Sequence, residues 1–151
     1  MIDEYYINND TLILIPISNN QTRIFDINGC FEVEKNIFDI IDESCQYYGS
    51  SYQGRYVGAK KLLNMDYKLP IIMDEVKETI VFPTSSPKAS KCCWVCLNNI
   101  DIFEKDNYST VIKFINGLFY EINISYNSFE NQIYRATLLL MKLKRRKDEK
   151  K

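Results

Sequence analysis

Two Asn-Gly dipeptides constrain the fold of this chain more than any other feature, because each lies between two apolar runs. The first is in TRIFDI-NG-CFEVEK, residues 22–35, and the second is in STVIKFI-NG-LFYEINI, residues 109–124. Asn and Gly tolerate the positive φ angles that a tight hairpin turn requires. The sequence therefore predicts two antiparallel hairpins. Turns centred on the dipeptides would pair Ile27 with Cys30, Ile24 with Val33, Arg23 with Glu34, Ile115 with Leu118 and Phe114 with Phe119.

Three other segments have the composition of strands. TLILIPI, residues 11–17, and CWVCLNNIDIFEK, residues 93–105, are rich in apolar and β-branched side chains. PIIMDEVKETIVFP, residues 70–83, predicts a third hairpin that turns around residues 75–77. The Ser, Pro and Lys content of TSSPKASK, residues 84–91, indicates a loop.

Two helices are expected before the last one. NIFDIIDESCQYYG begins with Asn36, a candidate N-cap, and Gly49 is a candidate terminator. GRYVGAKKLLNM, residues 54–65, predicts a short second helix.

The C-terminal helix has the clearest signature. Asn127 is its predicted N-cap, and Glu130 follows at the spacing of a capping box. Apolar residues then recur on one helical face. They are Phe129, Ile133, Ala136, Leu140 and Leu143.

These elements predict an α+β fold, in which antiparallel β-hairpins form a sheet that is covered by two or three helices, including the C-terminal one. A length of 151 residues fits a single domain. We place this domain at residues 1–143 and expect a basic, disordered tail at 144–151.

Composition excludes several functional classes. The chain has no histidine, so Ser-His, Cys-His and His-metal chemistry are excluded. The polar N-terminus MIDEYYINND is no signal peptide, and no apolar run approaches the ~20 residues of a membrane helix. We expect a soluble cytoplasmic protein that is not an enzyme.

The charge is unevenly distributed along the chain. Residues 1–49 hold two basic and nine acidic residues, which gives −7, whereas residues 50–151 hold seventeen basic and eleven acidic residues, which gives +6. A polyanion would therefore meet the later two-thirds of the chain. Sequence asymmetry alone does not fix a surface, and a solvated mixture of charges remains the alternative.

The five cysteines do not form a metal motif. Cys93 and Cys96 have the C-x-x-C spacing, but no second such pair exists. In a strand, Cys92 and Cys96 share one face with Trp94, while Cys93 lies on the other. Residues on opposite faces neither chelate nor bridge without a bend, so we expect buried thiols and no metal or cofactor.

The C-terminal helix also carries a polar patch. Asn131, Gln132 and Arg135 are neighbours at helical spacing. Amide and guanidinium groups are the side chains that contact base edges. A solvated helix face is the alternative interpretation.

A Gly-Ser-rich segment, CQYYGSSYQGRYVGAKK, forms a second polar constellation. Gly49 and Gly54 have the G-x-x-x-x-G spacing of a phosphate loop, but Arg55 follows where that motif needs Lys and then Ser or Thr, so a nucleotide triphosphatase is rejected. Glycines allow close backbone approach, and hydroxyls and cations suit phosphate oxygens. An exposed loop with scattered charge is the alternative.

Five segments together resemble the competence transcription factor (ComK) family of low-GC Gram-positive bacteria. They occur in the family's order over residues ~10–143. They are GSSYQGR (49–55), LPIIMDE (69–75), IVFPTSS (80–86), Cys93-Trp94 and ISYNSFENQIYRA (124–136).

The resemblance implies a transcriptional activator that binds paired A/T-rich promoter boxes, largely through the minor groove, and turns on genes for DNA uptake. It also implies homo-oligomers on promoters that act with RNA polymerase, an adaptor protein that delivers the activator to an ATP-dependent protease, and association with the nucleoid. Family members continue past the basic helix end, whereas this chain stops at Lys151. We expect activities that depend on such a tail to be altered.

Minor-groove readers use Arg, Lys, Asn and Gln, and narrow A-tract grooves attract Arg. We expect Arg55 and Arg135 to insert into the groove and Asn131 and Gln132 to contact base edges or sugars. Phosphates are assigned to the hydroxyls and lysines of the Gly-Ser-rich segment. The candidate DNA-contacting residues are Ser50, Ser51, Arg55, Lys60, Lys61, Asn127, Asn131, Gln132 and Arg135.

A second function is compatible with the same residues. A shortened relative of this family would act mainly through proteins, for example by heterodimerising with a full-length member and modulating it. The −7 charge of residues 1–49 favours this alternative, because an acidic surface repels DNA.

Overall fold

The computed structural model describes residues 1–150, which form an α+β fold with two antiparallel sheets and three α-helices. The large sheet has six strands in the order β3-β2-β1-β6-β5-β4, and the small sheet has the order β7-β8-β9. The strands are β1 (Thr11–Ser18), β2 (Gln21–Asp26), β3 (Gly29–Val33), β4 (Ile71–Asp74), β5 (Thr79–Pro83), β6 (Trp94–Cys96), β7 (Ile100–Asp106), β8 (Ser109–Phe114) and β9 (Phe119–Ile122). The helices are α1 (Ile37–Tyr47), α2 (Tyr52–Leu63) and α3 (Tyr126–Glu149).

The large sheet is buried on both faces. On one face Trp94 and Val81 pack with Ile40 of α1, and on the other Val95 and Phe82 pack with α2, α3 and the small sheet. Strands in such a position are expected to be mostly apolar, and in β5 all five residues are buried and only Thr79 is polar. The face covered by α2 and α3 carries the surface described below.

The first Asn-Gly hairpin forms, but its predicted register is wrong. Asp26 pairs with Gly29, so Ile27 and Asn28 make the turn. The Asp26 carboxylate accepts a hydrogen bond from the Asn28 amide at 2.7 Å, and this local bond fixes the turn one residue earlier than expected. Arg23 consequently pairs with Glu32 rather than Glu34, and Ile24 pairs with Phe31 rather than Val33.

The second hairpin also forms with a shifted register. Lys113, not Phe114, pairs with Phe119, because the loop has three residues between Phe114 and Leu118. Gly117 adopts φ +90° in this loop, which is a left-handed conformation that glycine tolerates. A one-residue change in pairing of this kind is typical of three-residue hairpin loops.

The segment expected to be one strand, residues 93–105, divides between the two sheets. A 3₁₀ turn, Leu97–Asn99, separates β6 from β7. The buried Asn99 side chain donates to the carbonyls of Asn9 and Thr11 at 2.9 and 2.7 Å. Asparagine side chains that bond to the backbone compete with strand pairing, which explains the break.

Helices α1 and α2 occur near the predicted positions. Asn36 caps α1, as expected, and Gly49 at φ +85° follows its end. Helix α2 begins two residues before the predicted start, because the Ser51 hydroxyl accepts from the Gly54 amide at 3.0 Å and so caps the helix.

The predicted cap of α3 is wrong. Ser125 is the N-cap, and its hydroxyl accepts from the Ser128 amide at 3.1 Å. Asn127 and Glu130 are exposed residues inside the helix.

The basic segment from residue 144 is helical rather than disordered as far as Glu149. Lys144 and Lys147 pair with Glu78 at 3.1 and 3.5 Å, which holds this end of α3 against the β4–β5 turn. Within residues 1–150, no helix is both long and apolar enough to span a membrane.

The cap of α3 gives a stability test. Ser125→Ala removes the acceptor for a helical amide, so we expect the free energy of unfolding in urea to fall by about 1 kcal/mol. Asn127→Ala is the matched control and should change it by less than about 0.5 kcal/mol. A larger loss for Asn127→Ala would restore the original cap assignment.

Candidate nucleic-acid interface

All five segments that carry the family resemblance contribute to one groove or to its support. The groove has a volume of about 480 Å³ and lies between the starts of α1 and α2, the loop after α2 and the loop after β5. Its lining includes Phe38, Tyr52, Tyr56, Tyr67, Lys68 and Lys88. We call this surface, together with Arg135, the groove face.

Aromatic rings build the wall of the groove. Phe38 and Tyr52 meet edge to face with their centroids 4.9 Å apart, and Tyr52 also meets the buried Trp94 at 6.2 Å. Burial raises the pKa of Tyr52 to about 12, so its hydroxyl is neutral at physiological pH. The Tyr56 hydroxyl donates to the Asp66 carbonyl at 3.0 Å and thereby anchors the loop after α2.

Two lysines lie at the rims of this groove. Lys68 Nζ is 5.3 Å from the centroid of the Tyr67 ring, within the range of a cation–π contact. Lys88 is exposed in the loop after β5. Lys60 borders an adjoining depression with Asp66, and Lys61, the next residue in α2, is exposed. In the part of the chain that the structure describes, none of these four lysines forms an ion pair with a carboxylate.

Arg135 is held at the groove by two acceptors. Its NH1 group donates to the Gln132 side-chain oxygen at 2.7 Å and to the Tyr67 carbonyl at 3.3 Å. Both bonds use the same nitrogen, so the Nε and NH2 donors of the fork are not used in these bonds.

Gln132 lies inside the protein, which corrects its assignment to base contacts. Its side chain is 2% exposed, and its amide nitrogen donates to the carbonyls of Lys68 and Pro83 at 3.0 and 2.7 Å. A contact with DNA would require breaking these buried bonds, which is unfavourable.

Arg55 is also not free to insert into DNA, in contrast to the expectation. Its side chain is only 14% exposed, and NH1 pairs with Glu75 at 3.0 Å. The same carboxylate oxygen accepts from Arg146 at 3.4 Å. Glu75 in the β4–β5 turn thus pairs with one cation from the start of α2 and one from the end of α3.

The remaining predicted residues are not brought together as one site. The Ser51 hydroxyl caps α2, and Ser50 is half-buried next to it. Asn131 is exposed one turn before Arg135. Asn127 instead borders a small depression with Lys105 and the β7–β8 turn.

Sequence reasoning missed the two rim lysines and the aromatic wall. Lys68 and Lys88 are separated by a complete hairpin, so only the tertiary fold shows that they are neighbours of one groove. A local signal existed in PTSSPK, where hydroxyls precede a lysine in a loop.

Two comparisons with known proteins give a match. The family model described as ComK protein matches residues 2–148. The chain is 32% identical over 153 residues to the Competence transcription factor of Bacillus subtilis (strain 168), covering 99% of this chain and 80% of that protein. No solved structure gives a significant match.

The cysteines lie as the strand pattern predicts, on opposite faces of the sheet. Cys92 and Cys96 belong to the core around Trp94, and Cys93 packs against the other core. Burial raises the pKa of Cys93 and of Cys96 to about 12. Among residues 1–150, no group of three or more metal-ligating side chains is found.

Thiol reactivity tests this arrangement. The thiolate is the reactive form, and burial raises the pKa of Cys45, Cys92, Cys93 and Cys96, so these four should stay protonated and unreactive near pH 8. Cys30 is exposed. Titration of the native protein with a disulfide reagent should give one fast thiol, which Cys30→Ser removes. Two or more fast thiols in the native protein would contradict the burial described here.

Proposed function

The chain belongs to the ComK family, and we propose that it is a DNA-binding regulator of transcription of competence genes that engages A/T-rich promoter DNA mainly through the minor groove. The observation that carries this proposal is the groove face: Lys68 and Lys88 line an aromatic groove, Arg135 bonds to Tyr67 of its lining, and none of these three cations forms an ion pair with a carboxylate among residues 1–150. The family match and the relative named a transcription factor support it.

Phosphate contacts would come from the lysines. Lys60, Lys61, Lys68 and Lys88 project from loops or from the end of α2, where they can reach a DNA backbone without breaking an ion pair within the described chain. If these four lysines all engage phosphates, the log–log salt dependence of binding would have a slope of about −3.6. At the end of α3, Lys144, Arg146 and Lys147 are paired with Glu75 or Glu78, so we expect these three cations to contribute less.

Arg135 would make the main contact with the minor groove of the DNA. Its guanidinium is tethered through one nitrogen only, which leaves the rest of the fork for acceptors on bases or sugars. A narrow A-tract groove has enhanced negative potential that attracts such a group. Asn131, exposed one turn away, is placed to make a neighbouring contact. Ser50 and Asn127 do not line the groove, so we assign them no contact in this interface.

The alternative, a modulator that works mainly through protein partners, has one observation in its favour. Tyr6 and Tyr47 stack at 4.9 Å on the surface, and Tyr47 is 66% exposed. They border a depression that also includes Glu4 and Asp74. Exposed tyrosines are common anchors in protein interfaces, and DNA is disfavoured next to carboxylates.

Further partners are proposed from the family resemblance. These are a second copy of the chain on promoter DNA, RNA polymerase and an adaptor protein of an ATP-dependent protease. A cytoplasmic, nucleoid-associated location follows from the proposed activity.

Two arginines of α3 give a matched test of the DNA contact. Arg135→Ala should weaken binding to an A/T-box duplex by roughly 1–3 kcal/mol while leaving binding to a G/C-rich duplex nearly unchanged, because it removes a groove contact. Arg146→Ala removes the same charge from the same helix, but Arg146 already forms an ion pair with Glu75. Its effect on either duplex should be much smaller. Fluorescence anisotropy titrations at fixed salt measure both variants.

Two outcomes would contradict parts of the proposal. Equal losses for both duplexes in Arg135→Ala, with a salt slope smaller by about one, would mean that Arg135 contacts only a phosphate. Equal affinities of the unmodified protein for the two duplexes would remove the claim of A/T selectivity.

A further inference from the structure

A single buried amide connects the parts of the groove face. Gln132 donates to the carbonyls of Lys68 and Pro83 and accepts from Arg135, at 3.0, 2.7 and 2.7 Å. All its side-chain polar atoms are therefore engaged, and its three partners lie on three separate segments.

Two of those partners, the carbonyls of Lys68 and Pro83, belong to the segments that form the two rims of the groove. Lys68 belongs to one rim and adopts φ +51°, a left-handed conformation that is unfavourable for a residue with a side chain. Pro83 ends β5 and leads into the loop with Lys88, whose base is closed by a bond from the Thr84 amide to the Cys93 carbonyl at 2.9 Å. The Gln132 amide thus spans the distance between the two rims.

The third partner is the groove-reading arginine. An arginine side chain has many rotamers, and fixing it costs conformational entropy on binding unless it is already held. The Gln132 oxygen and the Tyr67 carbonyl hold NH1 from two sides.

We propose that Gln132 is a positioning residue, whose buried amide sets the separation of the two rims and orients Arg135, so that DNA selectivity depends on a side chain that does not touch DNA. This inference rests on the proposed function, because it assumes that Arg135 contacts DNA. A purely structural role predicts a loss of stability alone, whereas a positioning role predicts energetic coupling between Gln132 and Arg135 in binding.

The test is a double-mutant cycle of DNA affinity. Gln132→Met keeps the length of the side chain and removes its hydrogen bonds. Dissociation constants for A/T-box and G/C-rich duplexes are measured for the unmodified protein, Gln132→Met, Arg135→Ala and the double variant, each at a temperature at which circular dichroism shows it folded. If Gln132→Met does not fold, Gln132→Asn takes its place, since the shorter amide cannot reach all three partners.

Thr110→Val is the matched control. Thr110 is also fully buried and donates from its side chain to a backbone carbonyl, that of Ile124 at 3.0 Å, but it lies in the small sheet. The Thr110→Val substitution should lower the melting temperature of the protein and leave the ratio of its A/T-box and G/C-rich affinities unchanged.

We expect Arg135→Ala to cost about fivefold or more in A/T-box affinity in the unmodified background, and less than about twofold in the Gln132→Met background. Gln132→Met alone should reduce the A/T-to-G/C ratio. The same loss for Arg135→Ala in both backgrounds would overturn the positioning role while leaving the DNA contact intact. No loss for Arg135→Ala in the unmodified background would instead overturn the contact itself, and the positioning role with it.

Discussion

Burial of both faces of the large sheet is the constraint on which the rest of the structure depends. Strands β5 and β6 are enclosed by α1 on one face and by α2 and α3 on the other, so their side chains cannot serve a ligand. Burial of this apolar surface supplies the main driving force for folding. Functional groups are consequently confined to loops at strand ends and to the outer faces of the helices, and the groove face is assembled there.

Ion pairs within the protein then determine which cations remain available to bind a polyanion. Glu75 and Glu78, on one short turn, accept ion pairs from Arg55, Lys144, Arg146 and Lys147. Paired cations are less attractive to phosphates, because a DNA contact would have to replace an existing partner. The lysines and Arg135 of the groove face have no such competitor among residues 1–150, whereas Lys144, Arg146 and Lys147 at the C-terminal end are paired.

The sequence predicted the elements of this fold far better than their details. Asn-Gly and strong apolar runs located the hairpins, but the Asp26 side chain shifted the first turn and a three-residue loop shifted the second. The residues of the candidate site were harder to predict from the sequence. Gln132 looked like a surface amide, although its spacing from Phe129 and Ala136 places it on the buried stripe of α3. Arg55 looked free because Glu75, its partner, lies across a loop in the next hairpin.

Amide hydrogen exchange with and without an A/T-box duplex tests most directly whether the groove face binds DNA. If the groove face binds DNA, amide exchange should be slower in the bound state for segments 52–68, 84–91 and 131–138, with segments 1–10 and 44–49 unchanged. A G/C-rich duplex at the same concentration should give weaker protection of the same segments. Protection confined to the β7–β8 turn or to the acidic N-terminal segment, with the groove face unaffected, would contradict it.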